Sequence, residues 1–309
     1  MRVMTIAGTR PELIRLCLIM RALEARCEHL FVHTGQNHDP RLRDIFLDEL
    51  GINTPDATLD MLAPAAAGAS GFGAQMGALM PGVAELLTAH TPDRLVILGD
   101  TNSGMAAVVA RRMGIPVFHL EAGNRCFDPR VPEEVNRRVI DAASDIWMPY
   151  TERSRQNLLA EGTPSPRIYV VGNPIGEVIA QHQDRVDRST ILEDLGLSPG
   201  GYAIATVHRA ESTERPEVLA AIMDGLAQVA AEHTLPVVVS CHPRLADRLS
   251  AHGITPGDGV RLEPPFGLFD FVRLEQQAML ALTDSGTVQE ECSLFQVPAV
   301  TLRDVTERP

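Results

Sequence analysis

The sequence predicts an α/β fold made of two doubly wound, Rossmann-like domains with a ligand cleft between them. Three observations carry that prediction. Short apolar runs alternate with helix-period stretches along the chain, which implies parallel strands covered by helices on both faces. At 309 residues the chain is longer than one hydrophobic core usually serves. Charged and polar residues also recur directly after the apolar runs, where folds of this class bind ligands.

The first series of strands is expected at Arg2–Ala7, His29–Thr34, Arg94–Leu98, Pro116–Leu120, Asp145–Met148 and Ile168–Val171. The second is expected at Tyr202–Val207, Leu235–Ser240, Val260–Glu263, Met279–Thr283 and Ala299–Leu302. Between them lie amphipathic stretches, such as Leu13, Leu16, Cys17, Met20 and Leu23 at helical spacing. The first series closes at Gly172-Asn173-Pro174, so an N-terminal domain is expected over residues 1–174 and a C-terminal domain over 175–309. The Ala/Gly-rich stretch from Ala63 to Gly77 reads as a loop leading into a helix.

Composition narrows the class. Apolar residues make up 45% and charged residues 22%, as in ordinary globular proteins. A formal net charge of −13 argues against a nucleic-acid surface, although a local arginine cluster can still receive a small anion. The five cysteines are scattered, odd in number and without a Cys-x-x-Cys, which fits a reduced enzyme better than a disulfide framework or zinc site. Arg10, Glu12 and Arg15 interrupt any apolar signal core, and no run approaches a membrane span. A soluble, cytoplasmic protein is expected, with neither nucleic acid nor membrane as partner.

Five motifs carry chemistry. Gly8-Thr9-Arg10-Pro11-Glu12 follows the first strand. Exposed amides at that helix start, with Arg10, would make an anion site, or the motif is an ordinary strand-to-helix turn. Gly99-Asp100-Thr101 places a carboxylate at a strand end, facing the cleft or capping the next helix. His119 to Arg138 is the densest stretch, with Glu121, Asp128, Glu133 and Glu134 among Arg125, Arg130, Arg137 and Arg138. Two carboxylates held about a bound sugar can share acid and base duties. The alternative pairs Glu134 with Arg138 one helical turn on and leaves Glu133 to complement the helix dipole. His208-Arg209 ends the first strand of the second series, and His242 in Cys241-His242-Pro243-Arg244 repeats the pattern one strand later. Fixed donors of this kind suit a diphosphate. Last, Asp284-Ser285-Gly286-Thr287 enters a helix, offering hydroxyl and amide donors to a phosphate, or a plain helix cap. With no Asp-x-Asp and no clustered His/Cys set, a metal-free route is expected.

In this order, Gly8–Glu12, Gly99–Thr101, Glu121-Ala122-Gly123, Pro132–Arg137, His208-Arg209, Asp284–Gly286 and Thr306–Pro309 resemble the UDP-N-acetylglucosamine 2-epimerases across essentially the whole chain. His33-Thr34-Gly35-Gln36-Asn37 and Gly123–Asp128 look closest to the branch that epimerises UDP-N-acetyl-6-deoxy-L-hexosamines, the UDP-N-acetyl-L-fucosamine synthases. The resemblance implies a fold like the B-type glycosyltransferases, a dimer, no cofactor, and UDP held chiefly by the second domain. It implies C2 epimerisation by eliminating UDP to a 2-acetamidoglycal and adding it back. Carried over by position, Asp100, Glu121 and Glu133 are the acid/base groups, with His208 in the catalytic set. Arg10, His208, Ser285 and Gly286 would hold the diphosphate and Glu291 the ribose, with Arg15, Arg209 and His242 completing the UDP-binding set.

This sequence departs from the family pattern at Arg15, where lysine is common, and at Thr287, where a second glycine is frequent. It also ends at Pro309, where relatives continue, so the C-terminal domain is expected to lack its usual last helices. Three other functions stay open at this point: a hydrolysing epimerase, a B-type glycosyltransferase, and a nucleotide-sugar binder without catalysis.

Overall fold

The computed structural model describes residues 1–35, 47–61 and 69–308, with the backbone alone for residues 69, 70 and 210. These residues divide into two compact units, Met1–Val178 and Ile179–Arg308. Each is built on one parallel sheet, as the alternating pattern requires.

The N-terminal sheet contains β1 (Arg2–Ala7), β2 (Glu28–His33), β3 (Ala57–Thr58), β4 (Arg94–Leu98), β5 (Val117–Leu120) and β6 (Ile146–Met148), in the order β3-β2-β1-β4-β5-β6. The direction of winding reverses between β1 and β4, and in such sheets the crevice at that switch point is where ligands bind. Helices α1 (Arg10–Glu24), α2 (Ala69–His90), α3 (Ala106–Arg112), α4 (Pro132–Ala143) and α5 (Glu152–Ala160) follow their strands. Both faces of the sheet are dry. Met4, Ile6, Leu95 and Ile97 pack against Leu79, Val83, Ala106 and Ile140. Val3, Ala7, Val96 and Leu98 pack against Leu13, Leu16 and Met20. Burial on both faces explains why these strands read as unbroken apolar runs, and each fully buried Leu or Ile is worth roughly 1.5–3 kcal/mol.

The C-terminal sheet contains β7 (Ala203–Thr206), β8 (Val237–Ser240), β9 (Val260–Glu263), β10 (Leu280–Thr283) and β11 (Ala299–Thr301), in the order β11-β10-β7-β8-β9. Its longer helices are α6 (Pro216–His233), α7 (Pro243–His252), α8 (Leu268–Gln277) and α9 (Gly286–Phe295). One face buries Ala203, Ala205, Val237 and Val239 against Leu219, Met223 and Leu245. The other buries Ile204, Val238 and Ala281 against Leu274, Val288 and Cys292. Winding reverses between β7 and β10, so His208 and Asp284 emerge on either side of this sheet's own switch point.

Two expectations are corrected, and one strand was not foreseen. The run Ile168–Val171 is not a strand: Ile168 makes one isolated bridge to Trp147, and the Tyr169 and Val171 amides donate to the carbonyls of Trp147 and Pro149. Lying beyond β6, the run has no neighbour to cover it, and Tyr169, Val170 and Val171 are exposed. Residues 63–68 of the Ala/Gly-rich stretch lie outside the described residues, but from Ala69 onward it is already helix rather than loop. Ala, Met and Gln are good helix formers and outweigh Gly73 and Gly77 there. The two-residue β3 gave no apolar pattern to read, and only its pairing with Val32 and His33 on β2 identifies it. Gln36 and Asn37 lie outside the described residues.

Candidate active site

In the N-terminal unit the polar groups cluster at the carboxyl ends of β1, β4 and β5. Glu121 follows β5 with a left-handed backbone, φ +66°, unusual for a residue with a long side chain. Only 6% exposed, it accepts a hydrogen bond from Arg15 Nη1 on Oε2 (3.2 Å) and one from Asn124 Nδ2 on Oε1 (3.3 Å). Arg15, expected at the nucleotide, is thus buried against a carboxylate, because it projects from the inner face of α1. A Cβ on Gly99 would lie 3.6 Å from Glu121 Oε2, so the turn carrying Asp100 passes directly beside Glu121.

Asp100 is gripped by the helix that follows β5. Its Oδ2 accepts a hydrogen bond from Arg137 Nε at 2.8 Å and lies 2.7 Å from Nη2 in the same ion pair, and its carbonyl accepts from Asn136 Nδ2 at 3.0 Å. Arg137 is itself buried and also grips Glu134 Oε2 at 3.0 Å. Of the two glutamates opening α4, Glu134 is the buried one, whereas Glu133 is half-buried. Burial pushes the Glu134 carboxyl up, but the Cys126 amide and Arg137 outweigh it and hold it below the usual range. Glu134 also pairs with Arg138 one turn on (3.2 Å). Arg125 is buried between Asp141 and Glu161, and Asp128 pairs at the surface with Arg130, which holds its carboxyl down at about 2.

The turn after β1 is closed rather than open. The amides of Gly8 and Thr9 donate to Glu12 Oε2 at 2.9 and 2.7 Å, so these donors are already satisfied by the chain's own carboxylate. The expected anion site on those amides is corrected accordingly, leaving the half-buried Arg10 to represent the motif. Glu12 Oε1 accepts from Thr101 Oγ1 at 2.7 Å, joining this turn to the residue after Asp100. Burial dominates at Glu12 and raises its carboxyl above the ordinary value.

In the C-terminal unit the groups flank β7 and β10. Asp284 is fully buried and receives the amides of His208 and Arg209, both at 2.9 Å on Oδ2, with His208 Nδ1 3.1 Å from Oδ1. Burial pushes this carboxyl up, and His208 with the two amides more than offsets it, so the net direction is down. The imidazole of His208 is 46% exposed on its outer side. Ser285 precedes α9 and its hydroxyl makes no capping bond to that helix. Glu291 is buried one turn inside α9, whereas His242 is exposed and accepts the Arg244 amide at 3.3 Å as the N-cap of α7.

One neighbour of this loop was not singled out in the sequence, Arg303; its partner is Glu307, of the Thr306–Pro309 motif. Both are buried and paired at 3.1 Å. Glu307 Oε1 lies against Gly286, 2.6 Å from where a Cβ would stand, and Arg209 Nη2 is 4.0 Å from it. The sequence signal was the Thr306–Pro309 motif together with Arg303, which puts Glu307 between two arginines after the last strand.

Comparison with known proteins gives one consistent result. A family model described as UDP-N-acetylglucosamine 2-epimerase matches residues 21–309. A UDP-N-acetylglucosamine 2-epimerase of Methanocaldococcus jannaschii is 35% identical, over 100% of this chain and 85% of the relative. A UDP-2,3-diacetamido-2,3-dideoxy-D-glucuronate 2-epimerase of Pseudomonas aeruginosa is 34% identical, over 99% of this chain and 84% of that one. The crystal structure of the M. jannaschii UDP-GlcNAc 2-epimerase in complex with UDP-GlcNAc and UDP superimposes with a TM-score of 0.91, covering 100% of this chain and 86% of that chain.

Proposed function

The chain belongs to the UDP-N-acetylglucosamine 2-epimerase family, and we propose that it inverts C2 of a UDP-N-acetylhexosamine without hydrolysis and without a metal. The C2 hydrogen of such a sugar adjoins no carbonyl, so direct deprotonation to a stabilised carbanion is closed. Elimination is open: a carboxylate takes the C2 proton, the C1–O bond breaks, UDP departs with the electron pair, and a C1=C2 double bond forms. In the return step a UDP oxygen adds to C1 while a proton reaches C2 from the opposite face. The net change is configuration alone.

The observation that carries this reading is the approach of two carboxylate-bearing turns at β4 and β5. Glu121 Oε2 lies beside Gly99, whose neighbour is Asp100, and each carboxylate is held by a buried arginine. Arginine partners favour the ionised form, which the proton-abstracting group needs. In this proposal Asp100, Glu121 and Glu133 exchange the C2 proton, and Arg15 orients Glu121 rather than the diphosphate. Arg10, His208, Arg209, Ser285 and the Gly286 amide bind the diphosphate, since an exposed imidazole and an uncommitted hydroxyl beside a helix start suit an anion. Glu291 accepts the ribose hydroxyls.

Incubation with UDP-GlcNAc in heavy water tests the proposal, with deuterium at C2 followed by NMR. Incorporation with conversion to UDP-ManNAc is expected. Free N-acetylmannosamine with stoichiometric UDP would overturn the non-hydrolysing reading. Absence of exchange on both UDP-GlcNAc and a 6-deoxy-L analogue would overturn the epimerase reading itself.

A further inference from the structure

His119, on β5, is fully buried and belongs to none of the groups assigned above. Its ring nitrogens both meet acceptors: Nδ1 is 2.8 Å from Asp141 Oδ1, and Nε2 is 2.9 Å from the Gly99 carbonyl. A carbonyl oxygen cannot donate, and Asp141 is kept ionised: burial pushes its carboxyl up, but His119 and Arg125 together bring it below the usual range. The two contacts lie on opposite edges of one ring, so His119 bridges the Asp141 carboxylate and the Gly99 carbonyl.

The location gives this pair its purpose. The ladder between β4 and β5 ends where the Gly99 amide donates to the Leu120 carbonyl at 3.0 Å. The Gly99 carbonyl therefore has no strand partner, and a buried carbonyl needs one. His119 supplies it. Asp141, on α4, receives the Gly123 amide at 3.1 Å and Arg125 Nη2 at 2.8 Å on Oδ2, while its own carbonyl accepts Trp147 Nε1 at 2.9 Å. One imidazole and one carboxylate thus tie together the turn before Asp100 and the turn after Glu121.

We propose that His119 and Asp141 are positioning residues that hold Asp100 and Glu121 in fixed register for proton transfer at C2. This rests on the reading of those two carboxylates as the proton-transfer groups. Neither His119 nor Asp141 touches the sugar; they act through the backbone at Gly99 and Gly123. Displacing a reacting group by about 1 Å costs on the order of a hundredfold in rate, and nucleotide affinity, which is proposed to depend on other residues, should stay put.

The test compares H119Q and D141N with the wild type at a temperature where circular dichroism shows all three folded. A Gln side chain carries both of its N–H donors on one nitrogen, so it cannot reach acceptors on opposite sides as the ring does. Expected is a fall in kcat of about a hundredfold, with KM and UDP affinity within about threefold. A kcat within threefold of the wild type overturns the inference, and so does a KM that worsens in step with kcat. Should either variant fail to fold, 1H–15N spectra of the wild-type imidazoles decide: a His119 ring N–H protected from solvent exchange supports the pair, and one exchanging at the solvent rate overturns it. A wild-type protein without C2 exchange would sink the epimerase reading, while the imidazole spectrum would still decide whether this pair is built as described.

Discussion

The carboxyl ends of the two sheets are built in opposite senses. In the N-terminal unit, carboxylates stand at the strand ends and buried arginines serve them: Arg15 serves Glu121, Arg137 serves Asp100 and Glu134, and Arg125 serves Asp141. In the C-terminal unit the buried carboxylates serve instead. Asp284 fixes the backbone and ring of His208, and Glu307 gathers Arg303 and Arg209 around Gly286. Under the proposed function, the first arrangement would present groups that exchange protons and the second donors to an anion. One doubly wound scaffold supports both, because the switch point only supplies a place and the loops supply the sign of charge.

The contrast is broken most sharply by removing charge from the first site. Asp100→Asn and Glu121→Gln are expected to lower C2 exchange by roughly 10²–10⁴-fold while UDP affinity by calorimetry stays within a few-fold. If all such variants stay active, the assignment of proton transfer to this unit fails. Removing a donor from the second site should do the reverse. His208→Ala is expected to weaken UDP binding by about tenfold or more, the worth of one charged hydrogen bond, and a variant with unchanged UDP affinity would remove His208 from the anion site.

Glycine substitutions sharpen the comparison at the level of stability. A Cβ on Gly123 (φ +79°) would stand 2.3 Å from the Ser154 carbonyl oxygen, which is backbone and cannot swing away. Gly123→Ala is expected to cost several kcal/mol, about 3 or more, by urea unfolding. At Gly286 the obstructing atoms belong to the ends of Glu307 and Arg308, which can move. Gly286→Ala should therefore cost less than Gly123→Ala and appear mainly as weaker UDP binding. Equal losses at the two sites would contradict the contacts described.

Acid unfolding separates the buried carboxylates by sign. Asp141 and Asp284 have folded values below their ordinary one, so their stabilisation is present above pH ~4 and is lost as pH falls through the depressed values. Glu12 is raised, so its contribution is present below its ordinary value near 4.5 and is lost as pH rises through the raised one. Unfolding midpoints between pH 3 and 7 should show Asp284→Asn flattening the acid side of the profile and Glu12→Gln flattening the side above pH 4.5. Identical profiles for the two variants would contradict the opposite environments.

Much of the fold was legible because burial on both sheet faces leaves apolar runs that read directly as strands. β3 and the Ile168–Val171 run escaped for the matching reason: one is too short to show a pattern, and the other is apolar without being covered. The polar cluster of the candidate site was legible where charge density was anomalous, as at Glu121 and Arg137. It was not legible where geometry decides. No spacing rule shows that the Gly8 and Thr9 amides turn inward to Glu12, or that Arg15 faces Glu121. Nor does the sequence show that Arg303 and Glu307 fold back onto the loop at Gly286, because that contact depends on the path of the chain after β11.

Phe127 sits in the loop between Glu121 and α4 with φ +58° and a side chain 62% exposed. An exposed aromatic in a left-handed backbone is held there against a local cost of about 1 kcal/mol or more. Selection for heat tolerance in the laboratory would therefore strike this position early. Phe127→Gly is expected to raise the melting temperature by ~1 °C, the strain relieved slightly exceeding the entropy that glycine returns to the unfolded chain. If such a variant melts higher yet turns over more slowly, the aromatic ring itself is part of what the loop offers the sugar, and the most heat-tolerant member of a variant library would be a poorer catalyst than its parent.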